Sequence, residues 1–72
     1  MKLKLSDLTV KEKQYIIETY NTSRYLGSSR YYRLLYTQKW FIKENPIYKD
    51  RRTSIYLLID ELTQVLKGGD LG

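Results

Sequence analysis

Residues 28–46 read SSRYYRLLYTQKWFIKENP, and this stretch decides the fold. Its core-type residues recur at i, i+3, i+4, i+7, i+10 and i+11, which is the spacing of an amphipathic helix. They are Tyr31, Leu34, Leu35, Gln38, Phe41 and Ile42. Ser28 or Ser29 can cap the start, and Asn45-Pro46 ends the helix because proline disfavours helical geometry in the preceding residue. The stretch therefore predicts a helix over about residues 29–45.

A first helix is predicted upstream, over about residues 9–21. Thr9 and Glu12 form a T-x-x-E capping box, in which each residue satisfies a free backbone N–H of the other. The apolar residues on one side of this helix are Val10, Ile17 and Tyr20, with Ile16 beside them. The helix should end near Asn21, because Asn, Thr and Ser compete with the helical backbone for hydrogen bonds.

A third helix is predicted downstream, over about residues 52–67. Asp50 or Thr53 can cap it, and Gly68-Gly69 is a suitable stop. Its apolar stripe consists of Ile55, Leu58, Ile59, Leu62, Val65 and Leu66. Leu57 lies opposite this stripe with Tyr56 on the flank, so the two residues are candidates for a dimer contact.

Three such stripes predict an all-α fold, a small three-helix bundle. The 72 residues suffice for one small domain, residues 1–72, with a frayed tail over about residues 68–72. A domain of this size has a thin core and is often helped by a partner subunit, a metal or disulfides. Because the sequence has no Cys and no His, a homodimer is the expected source of additional burial.

The positive charge is concentrated in the middle of the chain. The whole sequence has a formal net charge of +5. Residues 21–52 hold eight Lys or Arg and two acids, a net of +6, whereas the remaining residues hold five cations and six acids, a net of −1. A basic middle on a nearly neutral frame is typical of proteins that bind a polyanion or an acidic protein surface.

The side of the second helix opposite its stripe is rich in aromatic and basic residues. At about 100° per residue, the residues predicted to face outward or to flank this side are Arg30, Tyr32, Arg33, Tyr36, Lys39, Trp40 and Lys43. Aromatic residues and Arg are enriched at binding hot spots, and rings with cations also suit single-stranded nucleic acid. The alternative is that Trp40 is covered by another segment and that the cations are a solvated surface.

Two basic clusters are predicted at helix starts, where backbone N–H groups and the helix dipole favour phosphate. One consists of Ser28, Ser29, Arg30 and Arg33, and the other of Lys49, Arg51, Arg52 and Thr53. For the second cluster, local neutralisation by Glu44 and Asp50 is an equally good interpretation.

These patterns favour a small non-enzymatic, nucleic-acid-binding regulatory protein with DNA or RNA as its partner. The alternative is a protein-binding module or inhibitor that docks the Tyr, Trp and Arg residues of the second helix on an acidic protein. A purely structural subunit of a larger assembly is a third hypothesis.

The lack of Ala with abundant Lys, Ile and Tyr indicates an AT-rich coding sequence of the kind found in phages and mobile elements.

The sequence predicts no catalytic site, no metal site and no cofactor. It lacks His and Cys, the usual general base and thiolate ligand, and it contains no glycine-rich phosphate loop. No apolar run approaches the roughly 18 residues of a membrane span, and the N-terminal MKLKLSDL lacks the apolar region of a signal peptide. A cytoplasmic protein that does not contact membranes is therefore expected.

The segment LTVKEKQYIIETY, residues 8–20, resembles the opening helix of phage terminase small subunits. That resemblance implies an Ala-rich helix-turn-helix downstream, and the sequence NTSRYLGSSRYYRLL departs from it. With Gly27 in the turn, Arg33 falls where a recognition helix buries an aliphatic residue. No family is assigned on this basis.

Overall fold

The computed structural model describes residues 3–25 and 29–69, with side chains described as far as residue 64. In these ranges the chain forms three α-helices: α1 Val10–Thr22, α2 Arg30–Glu44 and α3 Arg52–Gly69. Short 3₁₀ helices span Leu5–Asp7, Ser23–Tyr25 and Pro46–Arg51. The three α-helices pack against one another, which confirms the predicted all-α bundle. Gly68 and Gly69 continue α3, and the rest of the predicted frayed tail lies outside the described residues.

The predicted capping box starts α1. The Thr9 hydroxyl accepts a hydrogen bond from the Glu12 N–H at 3.0 Å, and the Glu12 carboxylate accepts one from the Thr9 N–H at 2.8 Å. Val10 is 71% exposed, so its predicted place on the apolar side was wrong. Leu8, just before the cap, is buried instead, together with Ile16. The helix entry is therefore fixed by the cap, and the core contact comes from the residue that precedes it.

Substitution of Thr9 by Ala is expected to destabilise the protein by about 1 kcal/mol, since it leaves an N–H of the first turn unsatisfied. Chemical denaturation monitored by circular dichroism measures this loss. Thr22→Ala is the matched control, because Thr22 is an exposed residue at the other end of α1 and should change stability by less than about 0.5 kcal/mol. Equal losses in the two variants would contradict the role of the cap.

The core lies where the three helices meet. Its buried hydrophobic residues are Leu8, Ile16, Leu34, Phe41, Ile42, Ile55, Leu58, Ile59 and Leu62. Four of these confirm the predicted stripe of α3, whereas the side chains of Val65 and Leu66 lie outside the described residues. In residues 3–25 and 29–69, no helix has the length and apolar character needed to cross a bilayer.

The buried side of α2 differs from the predicted one. Leu34, Thr37, Phe41 and Ile42 are buried, whereas Tyr31 of the predicted stripe is 57% exposed. At about 100° per residue, the buried side is rotated by roughly an eighth of a turn from the predicted stripe. The reason is that α2 packs against both α1 and α3, so the sides of the helix next to each neighbour are covered as well.

The junction between α2 and α3 forms without the predicted cap. Asn45 ends α2, where its side chain donates to the Phe41 carbonyl at 3.0 Å. Pro46 then opens a 3₁₀ helix that runs directly into α3. Asp50 therefore lies inside the 3₁₀ helix and Thr53 inside the first turn of α3, and neither residue precedes the helix as a separate cap.

Candidate functional site

Arg30, predicted to flank the outward side of α2, joins all three helices. Its Nη2 donates to the Asp60 carboxylate at 2.6 Å, to the Asp60 carbonyl at 3.1 Å and to the Thr63 hydroxyl at 3.0 Å. Its Nη1 donates to the Tyr20 hydroxyl at 2.9 Å. The side chain is half-buried, because its acceptors lie on α1 and α3 and draw it towards them.

The guanidinium of Arg30 remains charged in this setting. Desolvation by burial lowers its pKa, but the hydrogen bonds to Asp60 and Tyr20 and the negative charge of Asp60 outweigh it and raise the pKa above its ordinary value. The positive charge of Arg30 is thus compensated inside the protein.

Arg33 also turns inward, onto the C-terminal end of α1. Its Nε donates to the Ser23 hydroxyl at 3.1 Å and its Nη2 to the Tyr20 carbonyl at 2.9 Å. The guanidinium carbon lies 4.0 Å from the centre of the Tyr20 ring. A cation at a helix C-terminus satisfies free carbonyls and complements the dipole, so Arg33 stabilises the junction after α1.

The first predicted phosphate cluster is therefore not formed as expected. Arg30 and Arg33 are engaged by other side chains, and Ser28 lies outside the described residues. Ser29 is the N-cap residue of α2, but its side chain makes no capping hydrogen bond. Among the described members of this cluster, Ser29, Arg30 and Arg33, no side chain places an unengaged positive charge beside the start of α2.

The other predicted residues of α2 remain accessible to solvent. Lys39 and Lys43 are exposed, Tyr32 is 69% exposed, and Tyr36 and Trp40 are half-buried. These five residues are spaced along the side of α2 that faces away from the core.

Trp40 lies at the edge of a groove between α1 and α2. The groove has a volume of about 340 Å³. It is lined by Tyr15, Glu18, Thr19, Thr22, Tyr36 and Trp40. The Nζ of Lys43 lies 4.7 Å from the centre of the Trp40 ring, and the Tyr36 ring packs on it at 6.1 Å. The indole is therefore neither a core residue nor a free stacking surface.

Tyr15 anchors this groove from α1. Its hydroxyl donates to the backbone carbonyl of Trp40 at 3.3 Å. Burial is the main cause that raises the pKa of Tyr15, so the hydroxyl stays protonated and keeps donating at neutral pH. The backbone of α2 is thus held against α1 at the position of Trp40.

The rings of α2 belong to two separate groups. Tyr36 packs with Trp40, whereas Tyr32 packs edge-on against Tyr31 with ring centres 5.7 Å apart. Tyr31 in turn meets Tyr56 of α3 at 6.4 Å. The row of Tyr32, Tyr36 and Trp40 predicted from helical spacing is therefore divided, with one group facing α1 and the other α3.

The second predicted phosphate cluster is brought together at the start of α3. An open concavity of about 420 Å³ lies there. Its lining residues are Lys49, Asp50, Arg51, Arg52, Thr53 and Ser54. Every predicted member of the cluster contributes to this surface and is exposed.

Local neutralisation of this cluster is not observed. In residues 3–25 and 29–64, a single ion pair has an N···O distance below 4.0 Å, that of Arg30 with Asp60. Neither Asp50 nor Glu44 pairs with a cation in that part of the chain. The exposed cations of α2 and of the start of α3 therefore keep their charge available to a partner.

One contact links α2, with its exposed cations, to the start of α3, with its own. The Gln38 side chain donates to the Arg52 carbonyl at 2.7 Å, so the turn of α2 that carries Lys39 lies beside the start of α3. The apolar pattern of the sequence assigned Gln38 to the core stripe and did not predict this hydrogen bond. It also missed Tyr20, Ser23, Asp60 and Thr63 as partners of the arginines, because no sequence spacing relates residues on different helices.

Comparison with known proteins gives no relative to argue from: no protein-family model, curated protein or solved structure matches this chain.

Proposed function

We propose that this protein binds nucleic acid through a basic band on α2 and the start of α3, without catalysing a reaction. The basic band consists of Lys39, Lys43, Lys49, Arg51 and Arg52. The observation that carries the proposal is that all five are exposed and form no ion pair within the described residues. Unpaired surface cations repel one another, and a polyanion relieves that repulsion.

Helical spacing and one hydrogen bond relate the members of the band to one another. Lys39 and Lys43 are one helical turn apart on α2, and the Gln38 bridge places Arg52 beside the same turn. Lys49 and Arg51 extend the band along the 3₁₀ helix. Phosphates in nucleic acids recur at intervals of several ångströms, so neighbouring cations of this band can contact successive phosphates.

Binding should be dominated by phosphates and not by bases. The exposed face of Trp40 is shared with the Lys43 ammonium, and its ring is tilted against Tyr36. A base would have to displace Lys43 before it could stack. Contacts to phosphates position a protein but carry little sequence information, so we expect weak sequence preference.

The test is titration of mixed-sequence duplex DNA, single-stranded DNA and single-stranded RNA at about 50 and 200 mM salt. If all five cations contact phosphates, log K against log salt has a slope of about −4.5 for duplex DNA, and affinity falls about 500-fold between these two concentrations. Fewer contacts give a proportionally shallower slope. Absence of binding to all three nucleic acids at the lower salt concentration would overturn the proposal.

The groove between α1 and α2 favours a second candidate function, docking of a partner protein. Glu18 lies in its lining and repels phosphates, whereas the half-buried Tyr36 and Trp40 offer the amphipathic contact area that is common at protein interfaces. Trp40→Ala should then abolish capture of a partner from nuclease-treated lysate, while Lys39→Gln mainly slows association. Nucleic-acid binding predicts the reverse, with little effect of Trp40→Ala and weaker binding by Lys39→Gln.

A further inference from the structure

An aromatic surface lies along the seam between α2 and α3. We define it as the tyrosine face, consisting of Tyr31 and Tyr32 of α2 and Tyr56 of α3. Tyr31 is 57% exposed and Tyr32 is 69% exposed, whereas Tyr56 is half-buried. Single exposed apolar residues are ordinary, but neighbouring exposed rings are typical of a surface that binds a partner.

The rings of the tyrosine face hold one another in place and still offer flat surface to a partner. Tyr32 meets Tyr31 edge-on with ring centres 5.7 Å apart, and Tyr31 meets Tyr56 edge-on at 6.4 Å. In an edge-on contact one ring presents its edge to a face of the other, so each contact covers a single face of a single ring. A flat partner can therefore stack on this array, and few side-chain rotations have to be frozen when it does.

The tyrosine face also differs from Trp40 in what lies over its rings. In residues 3–25 and 29–64, the rings that have a cation above them are those of Tyr20, Tyr25 and Trp40. A base that stacks on Trp40 has to displace the ammonium of Lys43. A base that stacks on the tyrosine face has no cation of that part of the chain to displace.

Helical spacing aligns the tyrosine face with the basic band on α2. Lys39 and Lys43 follow Tyr32 at i+7 and i+11, which places the three residues within about 20° of one line along the helix. All three are exposed. Tyr32 and Lys39 are separated by about 10 Å along the helix axis, a length that about three nucleotides of a stacked strand cover. One strand can therefore reach both the ring and the lysines.

The second helix repeats this arrangement beside the first. At one end of the seam the Tyr31 ring meets the Tyr56 ring, and at the other end the Gln38 side chain donates to the Arg52 carbonyl at 2.7 Å. Arg52 lies one helical turn before Tyr56, about 40° around α3, so the two residues share the side of α3 next to α2. Each helix thus carries a cation of the basic band and a ring of the tyrosine face on one side.

We propose that the tyrosine face stacks on the unpaired bases of a single-stranded nucleic acid whose phosphates contact the basic band. The inference rests on the proposed nucleic-acid binding and names the form of nucleic acid that the site prefers. Aromatic rings beside cations are the usual means of binding single strands, since rings stack on bases and cations follow the phosphates. Every base has a flat face, so stacking adds affinity while the sequence preference stays weak.

The test compares two single strands that differ only in their bases. One is an oligothymidylate of about twelve nucleotides, and the other is an abasic phosphodiester strand of the same length. Both are titrated at about 50 mM salt. Each base that stacks on an aromatic ring raises the affinity about 5- to 150-fold, so wild type should bind oligothymidylate at least about fivefold more tightly than the abasic strand.

Wild type alone separates this inference from the proposed function. Equal affinity for the two strands would overturn the inference and leave phosphate binding by the basic band intact, and the tyrosine face would then belong to another partner such as a protein. Absence of binding to both strands would overturn nucleic-acid binding itself, and this inference with it.

Substitution of the two most exposed rings locates the stacking surface. Tyr31→Leu with Tyr32→Leu should lose the preference for oligothymidylate, while its affinity for the abasic strand and its salt slope stay at wild-type values because the phosphate contacts remain. Tyr31→Phe with Tyr32→Phe keeps both rings and should keep the preference. Tyr25→Leu is the matched control, since Tyr25 is a 78% exposed ring on the 3₁₀ helix after α1, and it should bind like wild type.

An oligouridylate of the same length, titrated in parallel, compares RNA with DNA. Both strands should lose affinity in the double leucine variant, because the rings stack on flat faces that the bases of DNA and RNA share. A double leucine variant that keeps the preference for bases, or that loses affinity equally for oligothymidylate and the abasic strand, would overturn the inference. The same loss in Tyr25→Leu would also overturn it. Circular dichroism melts confirm that each variant is folded.

Discussion

Replacement of Arg30 by Met is expected to lower the free energy of unfolding by about 2–3 kcal/mol, without a comparable loss of nucleic-acid affinity. The change removes the guanidinium that binds Asp60, Thr63 and Tyr20. Loss of one partner from a fully buried ion pair costs about 3–5 kcal/mol, and loss from an exposed pair about 0–1 kcal/mol. The Arg30 and Asp60 side chains are 31% and 32% exposed, so solvent screening places the cost between these limits.

Arg24→Met is the matched control for Arg30→Met. Arg24 is an exposed arginine whose hydrogen-bond partner is the neighbouring Tyr25, and its replacement should change stability by less than about 0.5 kcal/mol. Urea denaturation measures both variants. A double-mutant cycle with Asp60→Asn then gives the coupling between the two side chains. An Arg30→Met protein that unfolds like wild type but no longer binds nucleic acid would show that Arg30 is a surface ligand.

Replacement of Phe41 by Ala is expected to destabilise the protein by about 3–5 kcal/mol. Phe41 is completely buried, and its ring packs against Tyr15 at 6.2 Å and Tyr48 at 5.4 Å. Removal of the ring leaves a cavity where α1, α2 and the 3₁₀ helix before α3 meet. A domain of this size has a total stability of about 4–11 kcal/mol, so this variant should lose a large share of it and melt at a much lower temperature.

Thermal unfolding by circular dichroism checks the Phe41 prediction. Val10→Ala serves as its control, because Val10 is an apolar residue exposed on α1 and should shift stability by less than about 0.5 kcal/mol. A Phe41→Ala melt within a few degrees of wild type would contradict the position of Phe41 at the centre of the core.

The helix boundaries could be predicted from the sequence because their signals are local. The capping box of Thr9 and Glu12 is formed by residues three positions apart. The stop at Asn45-Pro46 likewise depends on adjacent residues. The predicted helices therefore end within one or two residues of α1, α2 and α3. The start of α3 at Arg52 also agrees with the prediction, but the 3₁₀ helix Pro46–Arg51 takes the place of the predicted cap, since several successive residues there can adopt helical geometry.

The orientation of α2 could not be predicted from its own sequence. A pattern of apolar residues assigns Tyr31 to the core and the arginines to solvent, yet Tyr31 is largely exposed. Arg30 and Arg33 are drawn inward by acceptors on α1 and α3, among them Tyr20 and Asp60. Only the tertiary structure brings those acceptors within reach of the two guanidinium groups.

The candidate site could be predicted in part. Lys39 and Lys43 are exposed as expected, and the cluster at Arg51 and Arg52 is assembled around one concavity. The pairing of Tyr32 with Tyr31 and Tyr56 could not be foreseen, because it depends on the packing of α2 against α3. Arg30 and Arg33 are engaged by other helices, so fewer basic residues of α2 remain exposed than the sequence indicates.

The most direct test of the basic band compares two variants that lose the same charge. Lys39→Gln with Lys43→Gln removes two cations of the band, whereas Lys11→Gln with Arg24→Gln removes two exposed cations of α1 and the 3₁₀ helix that follows it. Affinity for duplex DNA is measured from about 50 to 200 mM salt, and the slope of log K against log salt is compared. We predict that the slope of the band variant is shallower than that of wild type by about 1.8, while the control keeps the wild-type slope. Equal slopes in the two variants would contradict it, since binding would then depend on total charge and not on the band.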